Sequence, residues 1–153
     1  MDFMEVLDTN VDEIEEVKLL PQGTYTWEIV KAPEVTNSGN GEWQICDISI
    51  KPVEAGEDVD PDDLEEFGPI ARERNRVTFM APTAADADNE RAKTANRMKK
   101  FFDEVLRAEG STLREKMANS IGLRFIAQAK WSPSKLNEGE YEVVLKQPFQ
   151  PEE

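Results

Sequence analysis

Three arginines recur at every second position in the middle of the chain, at Arg72, Arg74 and Arg76. Side chains two residues apart project from the same face of an extended strand. The sequence therefore predicts a row of three guanidinium groups along a strand over residues 71–81. Such a row fits a nucleic-acid backbone, because guanidinium groups bind phosphate through paired hydrogen bonds. The alternative is a solvated face that pairs with the preceding acidic residues, and such exposed pairs contribute only about 0–1 kcal/mol each.

Two tryptophans lie at predicted strand ends, where an indole is more easily exposed than in the middle of a sheet. Trp43 follows a Gly-rich turn and Trp131 precedes a Ser/Pro turn, whereas Trp27 lies within a strand. Exposed indoles stack on nucleobases, and each stacked base contributes roughly 1–3 kcal/mol. The alternative for each indole is core packing. The predicted nucleic-acid-binding residues are Arg72, Arg74, Arg76, Lys130, Trp43, Trp131, Arg124 and Lys135.

The composition argues against most catalytic chemistry. The chain has no histidine, which removes the commonest general base, and its one cysteine, Cys46, cannot build a thiolate zinc site. No Walker-type or dinucleotide-binding glycine pattern is present. We expect no cofactor, no metal and no enzymatic activity, and we expect Cys46 to be a small core residue. A carboxylate nuclease that uses Mg²⁺ is the remaining catalytic alternative.

The net charge of −14 is unevenly distributed along the 153 residues. Residues 1–69 carry a charge of −16, residues 70–135 carry +6, and residues 136–153 carry −4. Local charge determines partners more directly than total charge. The basic middle is therefore compatible with binding an anionic polymer, despite the acidic flanks.

Hydrophobic periodicity and cap residues predict five strands, one long helix and one short helix. The stretch from Leu20 to Ile50 reads as a long hairpin around Asn37–Gly41, with Tyr25, Trp27 and Ile29 on one face. The later elements are a strand over 71–81, a helix from Asp88 to Glu109, a short helix capped by Thr112 and running through Ala118, a strand starting at Gly122 and a strand over 141–146 that Pro148 and Pro151 terminate.

This order predicts a mainly β fold with a helix between the third and fourth strands. It is the element order of the OB-fold, a five-stranded, partly open Greek-key barrel that binds oligonucleotides or sugars across its second and third strands. We expect an acidic N-terminal segment over 1–18, an OB-fold-like domain over 19–148 and a short tail over 149–153. Within the domain, the acidic insertion at 52–69 is expected to be a solvated loop, in which Asp60 caps a single helical turn.

A resemblance supports the same interpretation. Leu20–Tyr25 with its Pro-Gln-Gly-Thr-Tyr opening, the Ser38–Trp43 turn, the basic helix and Ile121–Phe125 together resemble small phage proteins of the replication and recombination region. Those proteins are similar to OB-fold single-stranded DNA-binding proteins. The resemblance implies sequence-independent binding of single-stranded DNA, replication or recombination proteins as partners, possible homo-oligomers, no membrane association and a cytoplasmic location in the infected host cell.

The acidic segments support a different class of function. Carboxylates crowd residues 2–16 and 54–66, as in an inhibitor that mimics DNA and binds a nucleic-acid-handling protein of the host. Ile14 and Val17 are expected to form one docking turn of the N-terminal segment. The alternative for that segment is that it occupies a basic groove when no ligand is present.

Overall fold

The computed structural model describes residues 2–13 and 18–152. Its strands are β1 (Gly23–Ile29), β2 (Glu34–Asn37), β3 (Trp43–Ala55), β4 (Asn75–Pro82), β5 (Arg124–Pro133) and β6 (Tyr141–Pro151). Its α-helices are α1 (Phe3–Leu7), α2 (Pro61–Phe67), α3 (Asp88–Lys99) and α4 (Leu113–Ala118). Short 3₁₀ turns cover Val11–Glu13 and Ile70–Arg72, and α3 continues into a π-helical segment, Lys100–Val105.

The strands form one antiparallel sheet in the order β4–β3–β1–β5–β6, which confirms the mainly β prediction. β3 is long enough to pair with β2 along its first half and with β1 along its second half, on the same edge. There are six strands rather than five because residues 30–33, which include Pro33, separate β1 from β2. Proline has no N–H to contribute to a strand ladder, so the pairing is interrupted there.

The sheet is open and has six strands, so the structure does not show the expected five-stranded barrel. No pairing joins β4 to β6 within the described residues, and they are the two edges of the sheet. Asn75 at the start of β4 donates from Nδ2 to the carbonyl oxygen of Val143 in β6, at 3.0 Å. Beyond this contact, the π-helical segment places Phe101 between the two edges. Its ring centroid lies 5.8 Å from those of both Phe79 in β4 and Phe149 in β6.

The alternating pattern of β1 is confirmed. Tyr25, Trp27 and Ile29 are buried, while the residues between them are half-exposed. The two aromatic residues satisfy their polar atoms inside the core: the Tyr25 hydroxyl donates to the carbonyl of Pro21 at 2.6 Å, and Trp27 Nε1 donates to the carbonyl of Ala127 at 3.1 Å. A buried polar atom without a partner costs free energy, so these bonds permit the burial.

The acidic insertion is not a solvated loop. β3 extends through its first residues, and Asp60 accepts from the backbone N–H groups of Asp62 and Asp63 to cap the two turns of α2. Val59 is buried against β1, where a Cβ at Gly23 would lie 2.5 Å from Val59 Cγ2. Local like-charge repulsion is therefore outweighed by capping and by apolar contacts that the sequence does not reveal.

The remaining helices partly follow the prediction. Thr112 caps α4 by accepting from the backbone N–H of Glu115, as expected. Regular α-helix ends at Lys99, and the π-helical segment ends at Val105, so the predicted helix to Glu109 is too long. α1 lies in the N-terminal segment and buries none of its side chains. Ile14 and Val17, the predicted docking turn, fall outside the described residues.

The last strand extends further than predicted. β6 runs through Pro148 to Pro151, and Phe149 joins an aromatic cluster with Phe101 and Phe125. The prolines are tolerated because β6 is an edge strand and its pairing with β5 shifts register between Ile126 and Gln128.

Candidate nucleic-acid interface

The three predicted arginines do not form a row, so the expected strand face is wrong. Arg72 ends a 3₁₀ turn and Arg74 precedes β4, so only Arg76 belongs to a strand. Arg72 donates to the carbonyls of Phe67 and Pro69, and Arg74 donates to those of Ala71 and Glu73. These two guanidinium groups are bound to their own turn, whereas Arg76 lies on the exposed face of β4.

The two predicted tryptophans are exposed, but they lie far apart. The indole of Trp43 is 39% exposed and that of Trp131 is 45% exposed, while Trp27 is fully buried. Trp43 begins β3, and Ala55 ends it. Ala55 pairs with Tyr25 of β1, and Tyr25 in turn pairs with Ala127 of β5. Trp131 lies a further four residues beyond Ala127 in the same direction. The two indoles therefore occupy opposite ends of the sheet and do not share one site.

The other predicted cations are also dispersed. Arg124 on β5 makes an ion pair with Glu28, with 3.1 Å between Arg124 Nε and Glu28 Oε1. Lys130 is exposed on β5, and Lys135 is exposed in the turn between β5 and β6. Arg124 and Lys130 project from the same sheet face as Arg76, but β1 and β3 separate them from β4.

A groove of about 510 Å³ opens where the sheet fails to close, between β4 and β6. Phe79, Phe101 and Phe149 line it from the two strands and the π-helical segment. Arg97 and Lys100 also line it, and Glu104 is the acidic residue of its wall. The groove therefore combines aromatic rings with two cations, and its volume lies in the range of small-ligand sites.

A stripe of cations that starts on α3 and ends at the first residue of the π-helical segment borders this groove. Lys93, Arg97 and Lys100 are spaced four and three residues apart, which places them on one side of the helix. All three are exposed, and none makes a salt bridge within the part of the chain that the structure describes. We call these residues the α3 cationic stripe. Exposed cations in a row of this kind are suited to bind a polyanion.

The groove is continuous with the exposed face that carries Trp43. Met80 lines the groove, is 42% exposed, and stands opposite Ile45 in the pairing of β4 with β3. Two positions along β3 from Ile45, Trp43 stands opposite Pro82. Arg76 projects from the same face of β4 as Met80. One surface thus runs from an exposed indole across Met80 to the α3 cationic stripe.

The predicted binding residues included neither the cations Arg97 and Lys100 nor the three phenylalanines that line the groove. The helical spacing of Lys93, Arg97 and Lys100 was a usable signal, because it defines one face of a helix without any tertiary information. The three phenylalanines had no such signal, since they come from separate elements.

Within residues 2–13 and 18–152, no group of three or more acidic, cysteine or histidine side chains is arranged to hold a metal ion. None of the helices in these same ranges has the length and apolar character that crossing a membrane requires.

Comparison with known proteins identifies no relative: no protein-family model matches this chain, and no curated protein does. The resemblance to phage single-stranded DNA-binding proteins therefore stays a prediction.

Proposed function

We propose that this protein binds single-stranded DNA along the surface from Trp43 to the α3 cationic stripe. The observation that carries the proposal is the stripe itself, three cations beside an aromatic groove that make no ion pair among the residues the structure describes. Non-specific binding of single strands requires a positive track for the phosphates and aromatic rings for the bases. Lys93, Arg97, Lys100 and Arg76 supply the first, and Trp43 supplies an exposed ring.

The strand order supports an open arrangement of the OB type. In the order β4–β3–β1–β5–β6, with a helix between β4 and β5, the proposed surface lies on β3 and β4, the second and third strands if β1 and β2 count as one. OB-folds bind oligonucleotides across their second and third strands. A shared fold does not by itself imply a shared function. The proposal therefore depends on the charged residues and on the exposed indole. A role in phage replication or recombination follows from the resemblance.

The double variant Arg97→Gln/Lys100→Gln tests the stripe. We expect its affinity for a fluorescent oligothymidine to fall about tenfold or more at low salt, because two phosphate contacts are lost. The slope of log K against log salt should become shallower by about 1.4. Fluorescence anisotropy at several salt concentrations measures both quantities, and oligouridine and duplex DNA of equal length test the preference for DNA and for single strands.

The matched control is Arg72→Gln/Arg74→Gln, which removes the same number of charges. We expect it to change affinity by less than about threefold, because these guanidinium groups already donate to backbone carbonyls. If this control weakens binding more than the stripe variant does, the groove is the wrong site. If the parent protein does not bind oligothymidine at low salt, the proposed function is wrong.

Trp43→Ala tests base stacking separately from charge. We expect the loss of about 1–3 kcal/mol of binding free energy at unchanged salt slope, because a stacked ring carries no charge. Trp131→Phe should leave affinity unchanged, since Trp131 lies at the other end of the sheet. Equal losses in the two variants would contradict the location of the site.

A second candidate is the acidic mimic of DNA, and one observation favours it. The carboxylates of the insertion are held on a capped helix, α2, rather than on a solvated loop. Mimicry requires such a fixed array. Recovery of a basic nucleic-acid-binding protein by the immobilised chain, without oligothymidine binding at low salt, would favour this function over the first.

A further inference from the structure

A second cavity, of about 560 Å³, lies at the end of the sheet that carries Trp131. The indole of Trp131 is held along its polar edge, because Nε1 donates to the carbonyl of Leu20 at 2.7 Å. The backbone N–H of Trp131 donates to Gln22 Oε1 at 3.0 Å. The ring is nevertheless 45% exposed. It is therefore an oriented aromatic surface that residues 2–13 and 18–152 leave partly uncovered.

The opposite wall of the cavity is acidic. Asp63, Glu66 and Phe67 line it from α2, and their three- and four-residue spacing places them on one side of that helix. Both carboxylates repel a phosphate. This end of the sheet is consequently unsuited to the nucleic-acid role that the sequence predicted for Trp131.

An ammonium group of the protein already occupies the mouth of this cavity. Lys18 Nζ lies 3.4 Å from Glu66 Oε1 and 3.4 Å from the carbonyl oxygen of Glu66. Both side chains are more than half exposed, at 55% and 68%, so the pair is weak and exchanges easily with another cation. Lys18 thus shows which chemical group the cavity accepts.

We infer that this cavity binds a lysine or arginine side chain from a basic peptide segment of a partner protein. The cation displaces Lys18 from Glu66, pairs with Asp63 and Glu66, and lies against the indole of Trp131. Cations are attracted to the face of an indole, more strongly than to other aromatic rings. The site is separate from the α3 cationic stripe, and the inference does not depend on DNA binding.

The test titrates the full chain with a peptide of three Gly-Arg-Gly units, acetylated and amidated, in low-salt buffer. The comparison peptide carries glutamine in place of each arginine. We expect the arginine peptide to bind and to change the tryptophan fluorescence of a Trp43→Phe background, in which Trp131 is exposed and Trp27 is buried. No binding, or equal binding of the glutamine peptide, would overturn the inference.

Charge-matched variants on α2 separate the cavity from general acidity. Asp63→Asn/Glu66→Gln should weaken peptide binding roughly tenfold, because it removes both carboxylates of the cavity. Asp62→Asn/Glu65→Gln removes the same charge from the same helix outside the cavity lining, and we expect a change below about twofold. Equal losses in the two double variants would show that only bulk charge is recognised and would overturn the inference.

Removing the Lys18 ammonium group tests whether peptide binding becomes tighter. Lys18→Gln should tighten peptide binding several-fold because the competing ammonium is absent, whereas Lys31→Gln, with the same charge change, should not. Equal tightening in both variants would contradict competition at Glu66. Oligothymidine binding, measured on the same variants, tests the groove independently. A failure of the DNA-binding proposal can therefore be told apart from a failure of the peptide-binding proposal.

Discussion

Replacing Trp27 by alanine is expected to lower the free energy of unfolding by about 3–5 kcal/mol, the range for large aromatic residues in a core. The Trp27 ring is fully buried and lies 5.9 Å from that of Tyr25, centroid to centroid. Its Nε1 bonds the carbonyl of Ala127 across the pairing of β1 with β5. The variant loses apolar burial, leaves a cavity and removes this bond. Urea denaturation followed by far-ultraviolet circular dichroism measures the change.

Trp43→Ala is the matched control, because it deletes the same side chain at an exposed position. We expect it to cost less than about 1 kcal/mol, as for most surface substitutions. Trp27→Phe should fall between the two variants, because it keeps one six-membered ring but loses the N–H bond and part of the buried volume. If Trp27→Ala costs no more than Trp43→Ala, the buried face of β1 is assigned wrongly.

Raising the pH from 9 to 12 is expected to remove several kcal/mol of stability. Burial raises the pKa of the Cys46 thiol from 9.0 to about 11, and the carboxylate of Asp47 adds to this shift. Burial raises the pKa of the Tyr25 hydroxyl from 10.0 to about 12, with smaller contributions from Asp58 and Glu73. Each shift of about two units corresponds to roughly 2–3 kcal/mol.

The sign follows from proton binding. The folded state holds both protons more tightly than the unfolded state does, so the stabilisation is complete below pH 9. It declines as the unfolded chain loses its protons first, between pH 9 and 11 for Cys46 and between pH 10 and 12 for Tyr25. Urea denaturation at closely spaced pH values should show the free energy of unfolding falling over this window.

Two variants show how much of the loss of stability at high pH comes from the Cys46 thiol and how much comes from the Tyr25 hydroxyl. Cys46→Ala should remove the part between pH 9 and 11, and Tyr25→Phe should remove the part between pH 10 and 12, because neither replacement titrates. Both variants are expected to lose some stability at pH 8. The quantity to compare is therefore the slope of the free energy of unfolding against pH. A slope identical to that of the parent protein in both variants would contradict burial as the cause.

The two proposed surfaces divide the molecule by charge. The α3 cationic stripe lies beside β4, and the acidic α2 lies beside Trp131 at the far end of β5. A polyanion and a basic peptide could then bind at the same time. The net charge of −14 hides this separation, because it sums two surfaces of opposite sign.

Features that depend only on neighbouring residues were predictable from the amino-acid sequence. Period-two alternation identified the buried face of β1 at Tyr25, Trp27 and Ile29, because the pleat alone sets that face. Asp60 and Thr112 marked two helix starts, because a cap acts on N–H groups only two or three residues away. The exposure of Trp43 and Trp131 followed from their positions at strand ends.

Which of these residues lie close together could be seen only in the folded structure. The arginine spacing required one continuous strand, but a 3₁₀ turn over Ile70–Arg72 places Arg72 outside it. Trp131 faces Asp63 and Glu66, which are more than 60 positions away in the chain, so no local pattern revealed its acidic surroundings. Whether the sheet closes depends on Phe101 packing between β4 and β6. Such contacts are set by the packing of distant elements, which the spacing of residues along one segment does not encode.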